Sequence, residues 1–404
     1  MSAIVGKNYE LPALDLNFAE NKSLIDSVTG RNLITFSRSQ SGKEATYVGS
    51  DGLIKYAGAD EPRFDYDPVS GVCKGLLIEG QRTNLFNNSN FGGSWSLFSN
   101  PAPVATIKYN AELAPDGTRS AIELTTYPGW ESGLQYNCSG SNDTVSVFVK
   151  KGTMDYVQIF DNSSNMYCTV NLITGTIGGG YVLNCTASII PYPNGWYRVI
   201  VANASWGNYI KIGYHAGITN GGTVYLWGSQ LEEGTFPTSY IPTSGSTKTR
   251  NADEASITGS NFSSWYNQSE GTIFANFRQY ANQGGWRGIY ASSVQGSYPA
   301  LQTNSSGGSA EAWMQTYSAS TKIDFAIAQG SPHKTAIAHK GGVGIFGSID
   351  GGSIISKSYT SNQTGATNVN FYNGYYGERN NGHMARFTYW PKRLPDLELQ
   401  QLTK

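Results

Sequence analysis

The chain has 404 residues and a formal net charge of -1, and its length predicts two domains or three small ones. Charged residues make up 14% of it, whereas it contains 48 glycines and 26 tyrosines. This bias is typical of strands joined by glycine-rich turns and excludes an assembly of long charged helices. Because the lysines and arginines are scattered, we expect no nucleic-acid binding.

The start of the chain lacks the basic stretch and apolar segment of a signal peptide, and no window approaches the ~18 apolar residues of a membrane span. We therefore expect synthesis in a cytosol and no membrane insertion. The cysteines are far apart and form no Cys-x-x-C pair. Their spacing favours reduced side chains over a zinc site or a disulfide framework.

Residues 1–90 mix short apolar runs with turn signals such as Thr29-Gly30 and Asp51-Gly52. We predict that this segment is an extended N-terminal arm with short strands, used for attachment, or a partial sheet, and that it is not a compact domain.

Residues 91–243 have regular strand signals. The runs 144–149, 156–159 and 223–227 alternate apolar and polar residues with period two, as expected of strands with one face on a core. Turn residues separate such runs at the spacing of a β-sandwich. A proline-rich stretch at 236–246 then indicates a semi-rigid exit from this domain.

Residues 250–404 repeat the same pattern. The runs 271–277 and 334–338 are strand-like, and Asp350-Gly351 is a hairpin signal. The leucines of 394–402 lie near one face of a helix that tolerates a proline in its first turn. The prediction for the whole chain is an all-β protein: two β-sandwiches in tandem, the arm before them and a short C-terminal helix docked on the second.

A series of motifs occupies the first quarter of the chain: Thr35-Phe36-Ser37-Arg38-Ser39, Ala45-Thr46-Tyr47-Val48, Pro62-Arg63-Phe64-Asp65-Tyr66-Asp67-Pro68, Gly75-Leu76-Leu77-Ile78-Glu79 and Arg82-Thr83-Asn84-Leu85. The series resembles a cassette found in phage and prophage virion proteins. Its resemblance implies that the chain belongs to a bacteriophage particle.

The two sandwiches carry resemblances of their own. The motifs Gly195-Trp196-Tyr197-Arg198-Val199 and Tyr225-Leu226-Trp227-Gly228-Ser229 are similar to carbohydrate-binding modules of the CBM4/9 jelly-roll kind. The ending Met384-Ala385-Arg386-Phe387-Thr388-Tyr389-Trp390 with its helix resembles the laminin-G/concanavalin-like jelly roll. Both resemblances imply the fold, and the first implies kinship with sugar-binding modules.

Together the resemblances imply a virion surface protein, as a tail fibre or receptor-binding component that contacts host glycans. A capsid-decorating protein is the alternative, because the sequence has no fibrous repeat or coiled-coil heptad for a long shaft. Both versions predict other virion proteins as partners and a homotrimer that follows the symmetry of its mount. A bacterial adhesin is a weaker alternative, since no secretory signal is present.

We expect no enzymatic activity. Glycoside hydrolysis needs two carboxylates on either side of the scissile bond, and the chain has no acidic Glu-x-Asp-x-Glu strand. Glu232 and Glu233 are neighbours, so in a strand their side chains point to opposite faces. A phage depolymerase is therefore the less favoured alternative.

Sugar binding uses aromatic faces. Tryptophans flanked by glycine and polar residues predict loop-borne platforms at Trp130 and at Trp206 with Tyr209 in the middle module, and at Trp286 and Trp313 in the last. Such rings can equally close the end of a sandwich or fill a subunit interface.

Asp65 and Asp67 are the weak candidates for a metal site. Carboxylates at i and i+2 can share a strand face and bind Ca²⁺, and a structural calcium ion is common in the two families that the sandwiches resemble. The following Pro68 favours a simple turn instead. We predict no other cofactor.

Overall fold

The structure is a computed structural model, and nearly all of its regular elements are strands, as predicted. It describes the chain apart from residues 1–9, 40–41, 101–102, 130, 139, 216–220, 281–286, 293–297, 304–308, 317–318, 329, 360–364 and 373–379.

The described part of residues 10–84 contains short strands and one helical turn. In chain order these are β1 (Leu14–Leu16), α1 (Phe18–Asn21), β2 (Thr35–Ser37), β3 (Ala45–Val48), β4 (Ile54–Ala57), β5 (Arg63–Tyr66), β6 (Cys73–Ile78) and β7 (Arg82–Asn84).

The next part of the chain forms the middle sandwich. Its described elements are β8 (Trp95–Asn100), β9 (Thr106–Glu112), β10 (Ala121–Thr126), β11 (Glu131–Asn137), β12 (Gly140–Lys151), β13 (Tyr156–Asp161), β14 (Met166–Asn171), β15 (Thr176–Leu183), β16 (Thr186–Tyr192), a 3-10 turn (Pro193–Gly195), β17 (Trp196–Trp206), β18 (Tyr209–His215) and β19 (Gly222–Glu233).

The last part of the chain supplies the C-terminal sandwich. Its described elements are β20 (Lys248–Arg250), β21 (Glu254–Thr258), α2 (Gly259–Ser263), β22 (Glu270–Gln279), β23 (Arg287–Ala291), β24 (Tyr298–Thr303), β25 (Ser309–Thr316), β26 (Ala319–Ala326), β27 (Pro332–Lys340), β28 (Gly344–Ile349), β29 (Ile355–Ser358), β30 (Asn368–Phe371), β31 (Gly382–Trp390) and α3 (Asp396–Leu402).

Two sheets pack face to face in the middle sandwich. Sheet I has the strand order β16-β17-β12-β19-β10-β9, and sheet II has the order β15-β14-β13-β18-β11-β8. Alternate residues such as Val147, Ile159 and Leu226 are fully buried between the sheets, and each such side chain contributes about 1.5–3 kcal/mol. The predicted strands 144–149 and 156–159 lie in β12 and β13.

The C-terminal sandwich repeats this arrangement. Sheet III has the order β29-β28-β27-β22-β31-β6-β5, with β1 also paired to β31, and sheet IV has the order β2-β21-β30-β23-β24-β25-β26. Ile273, Leu301 and Phe387 belong to the core between them. The strand-like runs 271–277 and 334–338 lie in β22 and β27, as predicted.

The N-terminal strands are bound into the C-terminal sandwich. Leu14 of β1 lies opposite Tyr389, and Leu76 of β6 lies opposite Met384, so both strands pair with one edge of β31. β2 pairs with β21 in sheet IV. This pairing refines the prediction of an arm: its short strands are present, and β1, β2, β5 and β6 complete the second sandwich. The remaining strands form two small separate sheets, in which β3 pairs with β4 and β7 pairs with β20. The middle sandwich is inserted between the two parts of the chain that build the second one.

The C-terminal helix is confirmed. α3 begins after Pro395 and packs its buried Leu399 beside Trp390, Phe274 and Ala338 on the outer face of sheet III. The apolar spacing that predicted the helix therefore also buries it. Among the described helices, each is too short and too polar to cross a membrane.

A buried cluster of charged side chains joins the N-terminal strands to the chain that leaves the middle sandwich. We call its five residues the arginine junction: Arg38, Arg63, Glu79, Arg250 and Asp253. Arg38 Nη1 lies 2.9 Å from Asp253 Oδ1, and Arg63 Nη2 contacts the other oxygen of Asp253. Glu79 Oε2 lies 2.8 Å from Arg63 Nη1 and 3.2 Å from Arg250 Nη1. All five side chains are at most 1% exposed. Removing the Asp253 charge leaves Arg38 buried without a carboxylate, and removing the Glu79 charge does the same to Arg250.

The junction also fixes the proline-rich exit. Ser239 donates from its backbone N to Glu79 Oε1 at 2.8 Å and from its hydroxyl to Oε2 at 2.7 Å. Arg250 Nη1 donates to Thr238 Oγ1 at 3.0 Å. Asn84, from the last cassette motif, donates to the carbonyl oxygen of Ile241 at 2.8 Å. The exit is therefore held by hydrogen bonds to the N-terminal segment.

Candidate functional site

The outer face of sheet II carries the candidate site. Within β13, β18 and β11, the inward residues Ile159, Ile212 and Leu134 are fully buried in the sandwich core. Because side chains alternate along a strand, Phe160 and Lys211 point to the opposite face. The two lie directly opposite each other in the β13–β18 pairing.

Aromatic rings line this outer face. The ring centroids of Phe160 and Tyr167 lie 6.3 Å apart at an interplanar angle of 9°, so these rings are nearly parallel. Phe98 lies 6.1 Å from Phe160, and His215 lies 5.2 Å from both Phe160 and Tyr167. Phe160 is fully buried under its neighbours, whereas Phe98, Tyr167 and His215 are half-buried and reach the surface. Together they form an apolar surface with ring edges and faces open to a ligand.

A lysine stands at the centre of these rings. The ammonium of Lys211 lies 4.8 Å from the Phe98 centroid, 5.6 Å from Phe160 and 5.8 Å from Tyr209, within the range of cation–π attraction. Glu131 Oε2 accepts a hydrogen bond from Lys211 Nζ at 2.8 Å and one from Asn162 at 3.0 Å. We call the seven residues that share this surface the aromatic face: Phe98, Glu131, Phe160, Tyr167, Tyr209, Lys211 and His215.

Two glycines allow β11 and β18 to approach closely at the centre of the face. Gly133 and Gly213 lie opposite each other in the β11–β18 pairing, and a Cβ on either would collide with the backbone of the other strand. Phe98 and Gln158 flank this pair on the two sides. Gln158 is 1% exposed and donates to Thr169 Oγ1 at 3.1 Å, while its Oε1 atom has no partner in the described part of the chain. The close approach of the two strands therefore places Gly133 and Gly213 between Phe98 and the polar side chain of Gln158.

The electrostatics of the face follow from partial burial. The Lys211 and Glu131 side chains are 10% and 16% exposed, so their attraction is screened less than that of a surface pair. Burial, with the nearby charges of Glu131 and Asp161, raises the pKa of Tyr167. Burial opposes ionisation of Asp161, but hydrogen bonds from Ser163 lower the pKa of this carboxyl. The face thus presents the neutral phenol of Tyr167 near the Lys211–Glu131 pair at neutral pH.

This arrangement suits recognition of a sugar. Aromatic faces stack on the C–H surfaces of pyranose rings, and a carboxylate beside an ammonium offers acceptors and donors to hydroxyl groups. Sequence reasoning found Tyr209 but missed Phe98, Lys211 and Glu131. The run Tyr209-Ile210-Lys211-Ile212-Gly213-Tyr214-His215 contains the missed signal, because its period of two places Tyr209, Lys211 and His215 on one face.

The structure places the other predicted platforms differently. Trp206 ends β17 and is 3% exposed within the core of the middle sandwich. The prediction of a loop-borne ring is corrected here, because the strand continues through the polar run and turns the ring inward. Trp313 lies in β25 opposite Ala300, but its side chain is outside the described part. Trp130 and Trp286 lie outside the described residues.

The calcium candidates lie near the arginine junction. Asp65 Oδ1 accepts from the Val48 backbone N at 2.7 Å, and Oδ2 lies 2.5 Å from Lys74 Nζ and 2.8 Å from His383 Nε2. Asp67 Oδ1 accepts from the backbone N of Ser70 at 2.8 Å, as in an Asx turn. The described residues contain no group of three or more metal-ligating side chains. Calcium binding therefore stays a prediction.

The acidic neighbours of β19 point apart, as expected of strand residues. Glu232 is fully buried and accepts from the Thr238 hydroxyl at 2.5 Å and from Gln230 at 2.7 Å. Glu233 is exposed. The two carboxylates therefore do not share one face of the strand.

The chain is similar to solved structures but matches no known sequence family. No family model matches the chain, and no curated protein matches it. The chain is similar to the CBM40 domain of Ruminococcus gnavus IT-sialidase bound to alpha2,3 sialyllactose, with 13% identity and a TM-score of 0.31 over 36% of this chain and 88% of that one. It is also similar to the binding domain of botulinum neurotoxin DC in complex with rat synaptotagmin II, with 12% identity and a TM-score of 0.32 over 38% of this chain and 40% of that one. At these values the similarities carry no argument about function.

Proposed function

We propose that the protein is a surface component of a bacteriophage particle, a tail fibre or receptor-binding protein, and that it contacts host glycans through the aromatic face. The observation that carries the glycan part is the set of half-buried rings around the Lys211–Glu131 pair. The phage part rests on the resemblance of the first-quarter motifs to virion proteins. Assembly in the host cytoplasm and a homotrimer belong to the same proposal.

The glycan part is supported by how this face differs from the core. A ring that only fills the interior needs no exposed edge and no cation beside it. Phe98, Tyr167 and Tyr209 are half-buried instead, and Lys211 approaches two of them.

A glycan array of bacterial surface oligosaccharides tests this binding. We expect the wild-type chain to bind a subset of the array, and Phe98→Ala or Lys211→Met to weaken that binding by about tenfold, since one ring contact contributes on the order of 1 kcal/mol. Tyr109→Ala is the control, because Tyr109 is 56% exposed in β9 of the other sheet. No binding anywhere on the array would end the glycan part.

Imaging of particles tests the phage part separately. A label on the C-terminus should appear on the tail of the parent virion in negative stain. A label on the head would favour the capsid-decorating alternative, and a label absent from the particle would contradict both. Mass photometry of the purified protein should show three copies, whereas a stable monomer would contradict the trimer.

A reducing-sugar assay separates binding from hydrolysis. We expect no release of reducing ends from any oligosaccharide that the chain binds, because Glu232 and Glu233 do not share one strand face. Steady release by the wild-type chain would support the depolymerase alternative.

A further inference from the structure

A cleft of about 470 Å³ lies between the outer face of sheet I and the N-terminal segment. Ile190, Tyr192 and Ile200 of sheet I line one side, and Tyr47 and Tyr280 lie among the residues that line the rest. Ligand pockets in proteins usually measure about 300–1,000 Å³ and combine apolar walls with a few polar groups. The cleft is separate from the aromatic face, which lies on sheet II.

One buried arginine of this cleft has no acidic partner. Arg198 is 8% exposed and lines the cleft. Its Nη2 atom donates to Ser146 Oγ and to the Thr238 carbonyl oxygen, both at 2.9 Å, and its Nε atom is buried without a partner. In the described part of the chain, no carboxylate lies within ion-pair distance of it. By contrast, each arginine of the arginine junction contacts a carboxylate.

Arg278 supplies a second guanidinium to the same cleft. Arg278 is half-buried, lines the cleft, and donates from Nε to the carbonyl oxygen of Gly330. Among the described residues it too has no carboxylate partner. A buried guanidinium is stabilised when a carboxylate accepts its paired N–H groups, so the cleft offers two cations that the chain leaves without an anion.

The carboxylates of the cleft are already engaged. Asp65 accepts hydrogen bonds from Lys74 and His383, and Glu79 is bound by the arginine junction. Asp67 is used by its own turn. An incoming anion therefore meets Arg198 and Arg278 as the cations that remain available.

We propose that this cleft is a second ligand site, and that it binds a carboxylate-bearing oligosaccharide. The guanidinium groups of Arg198 and Arg278 would donate hydrogen bonds to the carboxylate, since their planar N–H pairs match its two acceptor oxygens. The phenols of Tyr47 and Tyr280 and the exposed hydroxyls of Thr186 and Ser188, which also line the cleft, suit a hydroxylated ligand better than an acidic peptide. This site goes beyond the proposed function and does not depend on the aromatic face.

Calorimetry on the full chain tests the site, with hexagalacturonate as the probe and maltohexaose as its neutral counterpart. We expect hexagalacturonate to bind, maltohexaose not to bind in the cleft, and the affinity for the acidic probe to fall as NaCl rises. Arg278→Gln should weaken binding of the acidic probe by about tenfold, because one charge-assisted pair is lost. Arg31→Gln removes an exposed arginine elsewhere and should leave the affinity unchanged.

Further variants separate this site from the aromatic face. Phe98→Ala should not change binding of hexagalacturonate. If Phe98→Ala abolishes that binding while Arg278→Gln leaves it intact, the acidic sugar binds on sheet II and the cleft proposal fails, although the proposed function stands. Absence of binding by hexagalacturonate, or binding of a hexaglutamate peptide in its place, would also overturn the proposal. Because Arg198 is buried, Arg278→Gln rather than an Arg198 variant carries the test.

Discussion

The arginine junction and the aromatic face both pair cations with carboxylates, but they differ in burial. In the junction, Arg63 and Glu79 are at most 1% exposed and each contacts more than one partner. On the aromatic face, Lys211 and Glu131 are 10% and 16% exposed and form a single pair. Ion pairs therefore have two roles in this chain. Full burial fixes how parts of the chain join, whereas partial burial leaves the charged side chains within reach of a ligand.

The comparison predicts that the junction is the more fragile of the two. Asp253→Asn should lower the free energy of unfolding by about 3–5 kcal/mol, because Arg38 would stay buried without a carboxylate and Arg63 would keep only Glu79. Denaturant unfolding of the full chain measures this loss. Asp155→Asn is the control: its pair with Lys151 is 52% exposed on the acidic side, and its loss should cost about 0–1 kcal/mol. Equal losses of unfolding free energy in both variants would contradict the greater fragility of the buried junction.

Trp206 lies in the core of the middle sandwich, whereas Tyr209 lies on the aromatic face. Trp206→Ala should cost about 3–5 kcal/mol of stability, because the ring is 3% exposed within the core. Tyr209→Ala removes a half-buried ring beside Lys211 and should cost less than about 1 kcal/mol while it weakens glycan binding. Thermal unfolding and the glycan array measure the two effects. A stable Trp206→Ala chain that has lost binding would restore Trp206 as a platform.

Acid should weaken the arginine junction when Glu79 becomes protonated. Burial raises the pKa of Glu79, but Arg250 and Arg63 outweigh it and lower the pKa from 4.5 to about 2. The stability from this group is therefore present above pH 4.5 and is lost as the pH falls through 4.5 toward 2. Unfolding curves across this window should show the loss in the wild-type chain, and Glu79→Gln should flatten that dependence. Glu233→Gln, at an exposed position, should leave the slope as it is.

The smallest effect on stability is expected on the aromatic face. Glu131→Gln should change the free energy of unfolding by about 1 kcal/mol or less, since the pair with Lys211 is partly solvated. It should nevertheless reduce glycan binding. Glu112→Gln is the control, because Glu112 and Lys150 form a partly exposed pair on sheet I, with side chains 27% and 24% exposed. A change at Glu131 that unfolds the chain and a change at Glu112 that abolishes binding would each contradict this assignment.

Local pattern predicted the elements of this fold well. The alternation of 144–149 and 156–159 placed β12 and β13, and the leucines after Trp390 placed α3. These features depend on neighbours within a few positions, so a single sequence contains them. Trp206 shows the limit, since its polar surroundings resemble a loop although β17 extends through them.

The long-range contacts could not be predicted from the same information. Arg38 and Asp253 are separated by 215 positions, and nothing local to either residue indicates the other. The aromatic face depends on strand order, because Phe98 reaches Phe160 across β11 and β18. Strand order within a sheet is set by the packing of the whole chain. The cassette motifs were recognised from sequence, but their role in the arginine junction required the structure.

The pairing of β31 with both β1 and β6 sets the order in which the protein can be completed on the ribosome. Leu14 pairs with Tyr389 and Leu76 pairs with Met384. Each partner is translated more than three hundred positions later. The strands of the middle sandwich, by contrast, all lie within 95–233, so that sandwich can form while the rest is still being made. The two parts of the C-terminal sandwich can then join after the middle sandwich has folded, and β31 is the strand that unites them.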